Sequence, residues 1–282
     1  MKKRTPGKSL LSAVAQKAIG ATLALVMALG FAPITARAAY DAPMRDAASC
    51  LANFFMGTRF SVERIRDSRW KVVKRVFTYE FDPATERLEV SLGLRAGTEN
   101  FANVAEEQRP KAQINAGFFG TESFGYFYSP NMIVPQGLKL DGKVYYEPAA
   151  SGFQTLFVYR DGSSEIVKTN TLDSKKVNGK AKDAVLILSG GDANAAESRQ
   201  RTMIGVRADG SAVLMVIDSN GRNTGATVAE GKRRLKDMGA VNVLNLDGGG
   251  SSRMYVKGRG LVTDPLYDPN RKIGSVLQVY DK

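Results

Sequence analysis

Apolar and polar residues alternate with period two along most of the chain beyond Trp70, the pattern of strands with one buried face. "VFTYEFDPATERLEVSLGL" alternates on both sides of a Pro-containing turn. "GLKLDGKVYYE", "LFVYRDGSSEIVK" and "IGVRADGSAVLMVID" each place Asp-Gly between β-rich runs. Asp-Gly at that spacing predicts hairpins closed by type I′ turns, which need positive φ at both central residues. Helical periodicity is confined to a few segments. "TENFANVAEEQR" (98–109) predicts one helix. "TGATVAEGKRRLKDMG" (224–239) predicts another, with Thr224 as its cap, cations in its last turn and Gly239 at C′. Residues 39–69 read as a helical lead-in, with Met44, Leu51, Phe54 and Phe55 giving a partial apolar face. The fold class expected is α+β: a mostly antiparallel or mixed β-sheet framework with hairpins and a few helices, forming a single catalytic-type domain over 70–282.

The N-terminus breaks this pattern. Lys2, Lys3, Arg4, Lys8 and Lys17 precede an uncharged, Ala/Leu/Val-rich stretch, and Ala36-Arg37-Ala38 supplies small residues at −3 and −1 of a cleavage site. That is the layout of a secretory signal peptide over 1–38. An uncleaved membrane anchor is the competing reading, disfavoured by the short apolar part and by Gly30 and Pro33 within it. Export to the periplasm or medium is therefore expected, with no stable membrane span after cleavage. The full chain carries a net charge of +12; residues 1–38 hold six cations and no acids, so 34 Lys and Arg remain against 28 acids, a net +6. A modest, dispersed excess is not a nucleic-acid footprint, and no nucleic-acid partner is expected. It suits anionic substrates.

The strongest exclusion comes from residue types. The sequence has no histidine and one cysteine, Cys50. Ser-His-Asp and Cys-His nucleophile systems, His-ligated zinc and an intrachain disulfide are ruled out. Catalysis is left to Asp, Glu, Lys, Tyr, Arg, backbone amides or an oxygen-ligated metal.

Two segments end good strand sequence on a polar residue followed by glycine, a place where a ligand or another backbone can approach closely. One is "AQINAGFFG" (112–120), continued by the glycine-aromatic stretch 121–131. The other is "LNLDGGGSSRMYV" (244–256), whose composition alone resembles a linker. Strand sequence resumes at Arg253, too soon for a domain boundary, so a turn or a site is the better reading. "GGSSR" is not a G-x-S-x-G elbow, and no Lys-Ser/Thr follows the glycines to make a P-loop.

"INAGFF", "RTMIGVRADGSAVLMVID" and "GATVAEGKRRLKDMGAVNVLNLDGGGSSRMYV", in this order and spacing, resemble the phosphodiester glycosidase family over roughly residues 72–280. The chain departs from the family pattern at 183–200, where a glycine-proline-leucine segment is often found. The resemblance implies hydrolysis of a sugar phosphodiester with the sugar's C–O bond cleaved. A phosphate leaving group is stable as an anion, so such chemistry needs no histidine acid if Arg and amides hold the phosphate and a carboxylate serves the sugar.

On that basis Asp247, Asn115 and Arg207 are the candidate catalytic residues. Asp247 is the electrostatic stabiliser, nucleophile or water-activating base, or else the side chain of an Asx-type turn. Asn115 holds a sugar hydroxyl or phosphate, or caps backbone; Arg207 grips phosphate, or forms a surface ion pair. Gly248, Gly249, Gly250 and Ser251 make an anion nest or a plain tight turn. Asp218, Asn245 and Phe118 complete the candidate substrate contacts. Asp218, Asn220 and Asn223 have a loosely calcium-like spacing, without the later Glu of an EF-hand. No cofactor is required, and a divalent cation such as calcium is the one admitted. The expected partner is an anionic glycan or sugar-phosphodiester substrate. Two other classes stay open: a non-catalytic glycan-binding envelope module, and a phosphodiesterase cutting the P–O bond.

Overall fold

The computed structural model describes residues 59–91, 101–120, 134–135, 137–141, 143–146, 154–168, 184–192, 194–219, 224–263, 271 and 273–282. The signal-peptide segment, most of the lead-in, the aromatic stretch 121–131, Asn220 and Asn223 lie outside the described residues.

The period-two segments form three five-stranded sheets, and every strand pair is antiparallel. The first sheet runs, in spatial order, β1 (Phe60–Arg66), β2 (Val72–Phe81), β13 (Ala212–Ser219), β12 (Arg201–Val206) and β14 (Asn242–Asn245). The second runs β16 (Gly260–Leu261), β15 (Met254–Val256), β4 (Ala112–Asn115), β17 (Val276–Asp281) and β3 (Glu86–Ser91). The third runs β10 (Ser164–Lys168), β9 (Gln154–Tyr159), β11 (Ala184–Gly190), β7 (Leu138–Leu140) and β8 (Lys143–Tyr146). Phe119–Gly120 (β5) pairs with Val134–Pro135 (β6). The α+β expectation holds, with the antiparallel form throughout.

One buried cluster joins all three sheets. Phe77, Ile204, Leu214, Val216, Leu244 and Leu246 come from the first, Ile114, Met254 and Leu277 from the second, and Leu138, Leu156 and Leu188 from the third. The strands of the first sheet are also apolar on their other face. There Met203, Val213, Met215 and Val243 pack under helix α2 (Val228–Asp237), while α1 (Phe101–Gln108) puts Phe101 and Val104 against Val276 of the second sheet. Gly231 lets α2 lie close: a Cβ there would stand 2.3 Å from Met203 Sδ.

Four local expectations need correction. The lead-in is not helical where it is described. Residues 60–66 form β1, because "FSVERIR" alternates and pairs in register with β2. Helix α2 starts later than expected, with Thr227 rather than Thr224 accepting from the Glu230 amide at 3.1 Å. The bridge between Arg199 and Ala226 holds the preceding residues extended, and Thr227-x-x-Glu230 supplies the capping-box spacing. Its C-terminus is as expected, with Gly239 at φ +91°.

The Asp-Gly turns at 161–162 and 209–210 are three-residue loops rather than type I′ turns. Tyr159 N–H bonds to Ser163 C=O and Arg207 N–H to Ser211 C=O, with the glycine alone at positive φ (+89° and +82°). Each aspartate instead accepts from the amide and hydroxyl of the serine two residues on, an Asx arrangement that favours this longer loop. Finally, the strands on either side of Pro83 do not pair with each other. β2 belongs to the first sheet and β3 to the second, so this turn carries the chain across the core.

Candidate active site

The two glycine-interrupted segments meet. β4 and β14 lie in different sheets, yet their ends abut: Asp247 N–H donates to the Ala116 carbonyl at 3.0 Å, and Leu246 N–H to the Thr202 carbonyl at 2.9 Å. After Asp247 the chain turns through a 3₁₀ segment, Gly249–Ser251, and enters β15 beside β4. The "DGGGSS" stretch is thus the crossover from the first sheet to the second.

Asn115 is the clasp of this crossover. Its Nδ2 donates to the Asp247 carbonyl at 2.7 Å, and its Oδ1 accepts from Thr202 Oγ1 at 2.7 Å and from Arg253 N–H at 3.0 Å. It is fully buried. Three strands are tied by one carboxamide: Asn115 bonds the backbone of Asp247 and Arg253 and the hydroxyl of Thr202, the capping arrangement among its expected roles.

Asp247 itself is partly accessible. Its Oδ1 accepts from Gly248 N–H at 2.9 Å. Burial pushes its carboxyl above the ordinary range, opposed by the Ser251 hydroxyl, the Arg271 guanidinium and the Gly248 amide. Arg271 Nε in turn donates to Ser251 Oγ at 3.2 Å. The exposed Arg271 guanidinium, the Ser251 hydroxyl and the Asp247 carboxylate therefore form a continuous polar chain. An acid with raised proton affinity beside a cation can exchange a proton and bind an anion in the same place.

The glycines do not form the expected amide nest. Gly248 N–H is taken by Asp247, Gly249 N–H by the Gln200 carbonyl at 2.8 Å, Ser251 N–H by Gly248 C=O and Ser252 N–H by Gly249 C=O. The Gly250 carbonyl accepts from Arg253 Nη1 at 2.8 Å. The loop is a tight turn in which the amides of Gly248, Ser251 and Ser252 bond within it and that of Gly249 bonds Gln200. Its glycines have two separate reasons: a Cβ on Gly248 would meet the Gln200 carbonyl at 2.9 Å, whereas Gly249 adopts φ +58° with open space over it.

Three other candidates are placed elsewhere. Arg207 follows the end of β12 remote from Gln200, seven residues along, about 23 Å at strand rise. There it bonds the Met238 carbonyl, the Ser211 hydroxyl and the Glu80 carboxylate, so the ion-pair reading replaces phosphate binding. Asn245 lies opposite Met203 on the face under α2, and its Nδ2 donates to the Gly191 carbonyl at 2.6 Å. It fastens a loop and does not join the Asp247 cluster. Asp218 is fully buried and faces Arg75 in register across β13 and β2, Nε to Oδ1 at 3.0 Å and Nη2 to Oδ2 at 2.6 Å. Both its oxygens are committed to a guanidinium, which a cation would have to displace. Among the described residues no group of three acidic or cysteine side chains is arranged to hold a metal. Phe118, half-buried, follows Asn115 by three residues.

Sequence reasoning missed Arg271, Thr202 and Gln200. Arg271 follows Pro269-Asn270 in sequence without any motif, and only the fold carries it to Ser251. Thr202 sits inside "RTMIGV", but its value lies in facing Asn115, which no local pattern reports.

This is an all-antiparallel three-sheet domain with a histidine-free carboxylate–cation site at a sheet crossover. The chain belongs to the phosphodiester glycosidase family, which it matches over residues 108–280. It is similar in fold to the zebrafish N-acetylglucosamine-1-phosphodiester α-N-acetylglucosaminidase catalytic domain auto-inhibited by its pro-peptide. The TM-score is 0.58 at 18% identity, covering 79% of this chain and 82% of that one. A hypothetical protein from Synechocystis aligns at TM-score 0.48 and 15% identity, over 79% of this chain and 62% of that one. An uncharacterised SPβ prophage-derived protein of Bacillus subtilis (strain 168), YomE, is 24% identical over 214 residues, 68% of this chain; the chain spans only 31% of that protein's length.

Proposed function

We propose that this protein is an exported hydrolase that cleaves a sugar-1-phosphodiester of an envelope or extracellular glycan at the bond between the sugar carbon and the phosphate oxygen. The observation that carries the reading is the Arg271–Ser251–Asp247 chain: one cation suited to phosphate beside one carboxyl whose proton affinity burial raises. Family membership supports the reaction class. In the proposed reaction Asp247 accepts a proton from the attacking water. The water oxygen bonds to the anomeric carbon, and the C–O bond breaks with its electron pair staying on phosphate. The phosphomonoester leaves as an anion stabilised by Arg271, so no general acid is required of the protein. Asp247 then returns its proton to solvent. A carboxyl with an elevated proton affinity is a better base than an exposed one, provided the working pH leaves it ionised.

The test is Asp247→Asn with a synthetic sugar-1-phosphodiester, with hydrolysis run in ¹⁸O-labelled water. The expected result is a folded variant that releases no sugar, and wild-type product carrying the label in the sugar hydroxyl. Full activity in the variant overturns the assignment of Asp247; label in phosphate makes the enzyme a P–O phosphodiesterase; binding without turnover by the wild type makes it a glycan-binding module. Export rests on the signal-like residues 1–38, and among the described residues no helix is long and apolar enough to cross a membrane. N-terminal sequencing of the protein from its native host, expected to start at Ala39, checks it.

A further inference from the structure

The Gln200 side chain is 2% exposed, and neither its Oε1 nor its Nε2 has a hydrogen-bond partner among the described residues. A buried carboxamide with donor and acceptor both unmet is costly and calls for a reason. Its place supplies one. The Gln200 backbone carbonyl receives Gly249 N–H, so the residue adjoins the Asp247 loop. Two positions on, Thr202 turns its hydroxyl to Asn115, whereas Arg201 between them turns the other way to the Ala226 carbonyl. Strand alternation therefore points Gln200 to the Asn115 side of the sheet.

Register identifies its neighbours. Arg201 pairs with Ile217, so one step beyond stands Asp218, and beside that Arg75. The row Arg75–Asp218–Gln200, spaced about 4.8 Å per strand, runs along the polar edge of the core up to Gly248. Asp218 and Arg75 neutralise each other. That leaves a neutral donor–acceptor pair at the end of the row nearest the acid. Ser252, whose amide bonds the Gly249 carbonyl, adds a buried hydroxyl without a partner among the described residues.

We infer that Gln200 is a specificity-determining residue that receives the sugar of the substrate, its carboxamide bonding an adjacent pair of ring hydroxyls. This rests on the function proposed above. A vicinal diol offers the adjacent donor and acceptor that a carboxamide complements. A phosphate offers acceptors only, and is better met by Arg271, which bonds Ser251. The substrate is thereby oriented with sugar toward β12 and phosphate toward the 271 loop.

The test compares wild type with Gln200→Leu and Arg271→Ala in three measurements: thermal midpoint, binding of a panel of methyl hexosides by saturation-transfer NMR, and inhibition by inorganic phosphate. Gln200→Leu is expected to keep or raise the midpoint, to weaken hexoside binding about tenfold, the worth of one or two neutral hydrogen bonds, and to leave phosphate inhibition unchanged. Arg271→Ala is expected to do the reverse, weakening phosphate and sparing hexoside. With the phosphodiester, the loss in Gln200→Leu is expected in KM. Undiminished hexoside binding in Gln200→Leu, a midpoint lowered by several degrees, or no hexoside bound by wild type overturns the inference. Hexoside binding that depends on Gln200 without any phosphodiester hydrolysis overturns the proposed reaction and leaves the sugar site standing.

Discussion

Asn115 and Asp247 are 132 positions apart in sequence, and the Asn115 carboxamide holds the Asp247 backbone carbonyl at 2.7 Å. The acid is thus placed through its main chain, while its carboxylate is left to Ser251, Gly248 and Arg271. Position and proton affinity are set by different residues, and substitutions can separate them.

Asn115→Asp keeps an acceptor for Thr202 and Arg253 but loses the donor to Asp247 and sets two acceptors against each other. Asn115→Ala strands all three partners. Losses of about 2–4 kcal/mol are expected in each case, from buried polar groups left unmatched. Urea denaturation measures them, and Asn115→Asp is expected to lose turnover while the Asp247 carboxylate remains chemically intact.

Asp247 carries a pH signature. Its folded-state proton affinity lies above that of an unfolded aspartate, about 3.9. Burial of the ionised form therefore costs nothing below the unfolded value, and the cost grows as pH rises through the folded one. Asp247→Asn removes it. The variant is expected to melt above wild type at neutral pH, with the difference vanishing toward pH ~4. Melting curves across that range check the sign; activity of the wild type is expected to rise over the same interval as the base ionises.

The Arg75–Asp218 pair tests whether Asp218 belongs to a cation or to an arginine. Asp218 is fully buried and Arg75 about a quarter exposed. Arg75→Leu is expected to cost about 2–4 kcal/mol, somewhat under the value for a fully buried pair because the arginine is part-solvated. Adding Leu at 218 as well recovers much of it. A double-mutant cycle by denaturation, with and without calcium, reads the coupling; rescue of Arg75→Leu by calcium would reinstate Asp218 as a cation ligand.

Gly248 and Gly249 are expected to differ. Gly249→Ala meets no atom and bears only the left-handed backbone cost of about 1–2 kcal/mol. Gly248→Ala drives its Cβ against the Gln200 carbonyl and must displace the loop that carries Asp247. Turnover should fall further for Gly248→Ala, even where the two variants melt alike.

Much of this was readable from the chain. The alternating runs became strands, Gly239 ended its helix, and the two glycine-interrupted strand ends, at Asn115 and Asp247, proved to be neighbours. What failed did so for physical reasons. The alternation around Pro83 marks two strands but not that they part into different sheets. A basic residue in a strong strand motif, Arg207, drew attention because it lies close in sequence to matched residues. The cation beside Asp247 is Arg271, brought there only by closure of the second sheet. The glycine run suggested free amides; the Gly248 amide goes to Asp247 and the Gly249 amide to Gln200.

Strand β17 lies between β3 and β4 in the second sheet, and the Ser275 carbonyl just before it binds the Ala116 amide next to the site. Residues 276–281 come after every other strand of this domain, yet they occupy an interior place. A nascent chain emerging in order can make its early hairpins but cannot complete the sheet that holds Asn115 until residue 281 is available. Completion of the site therefore waits for this last strand, at the slower pace that long-range pairings impose. Loss of this one strand would take the chemistry with it while leaving every residue of the acid loop in the chain.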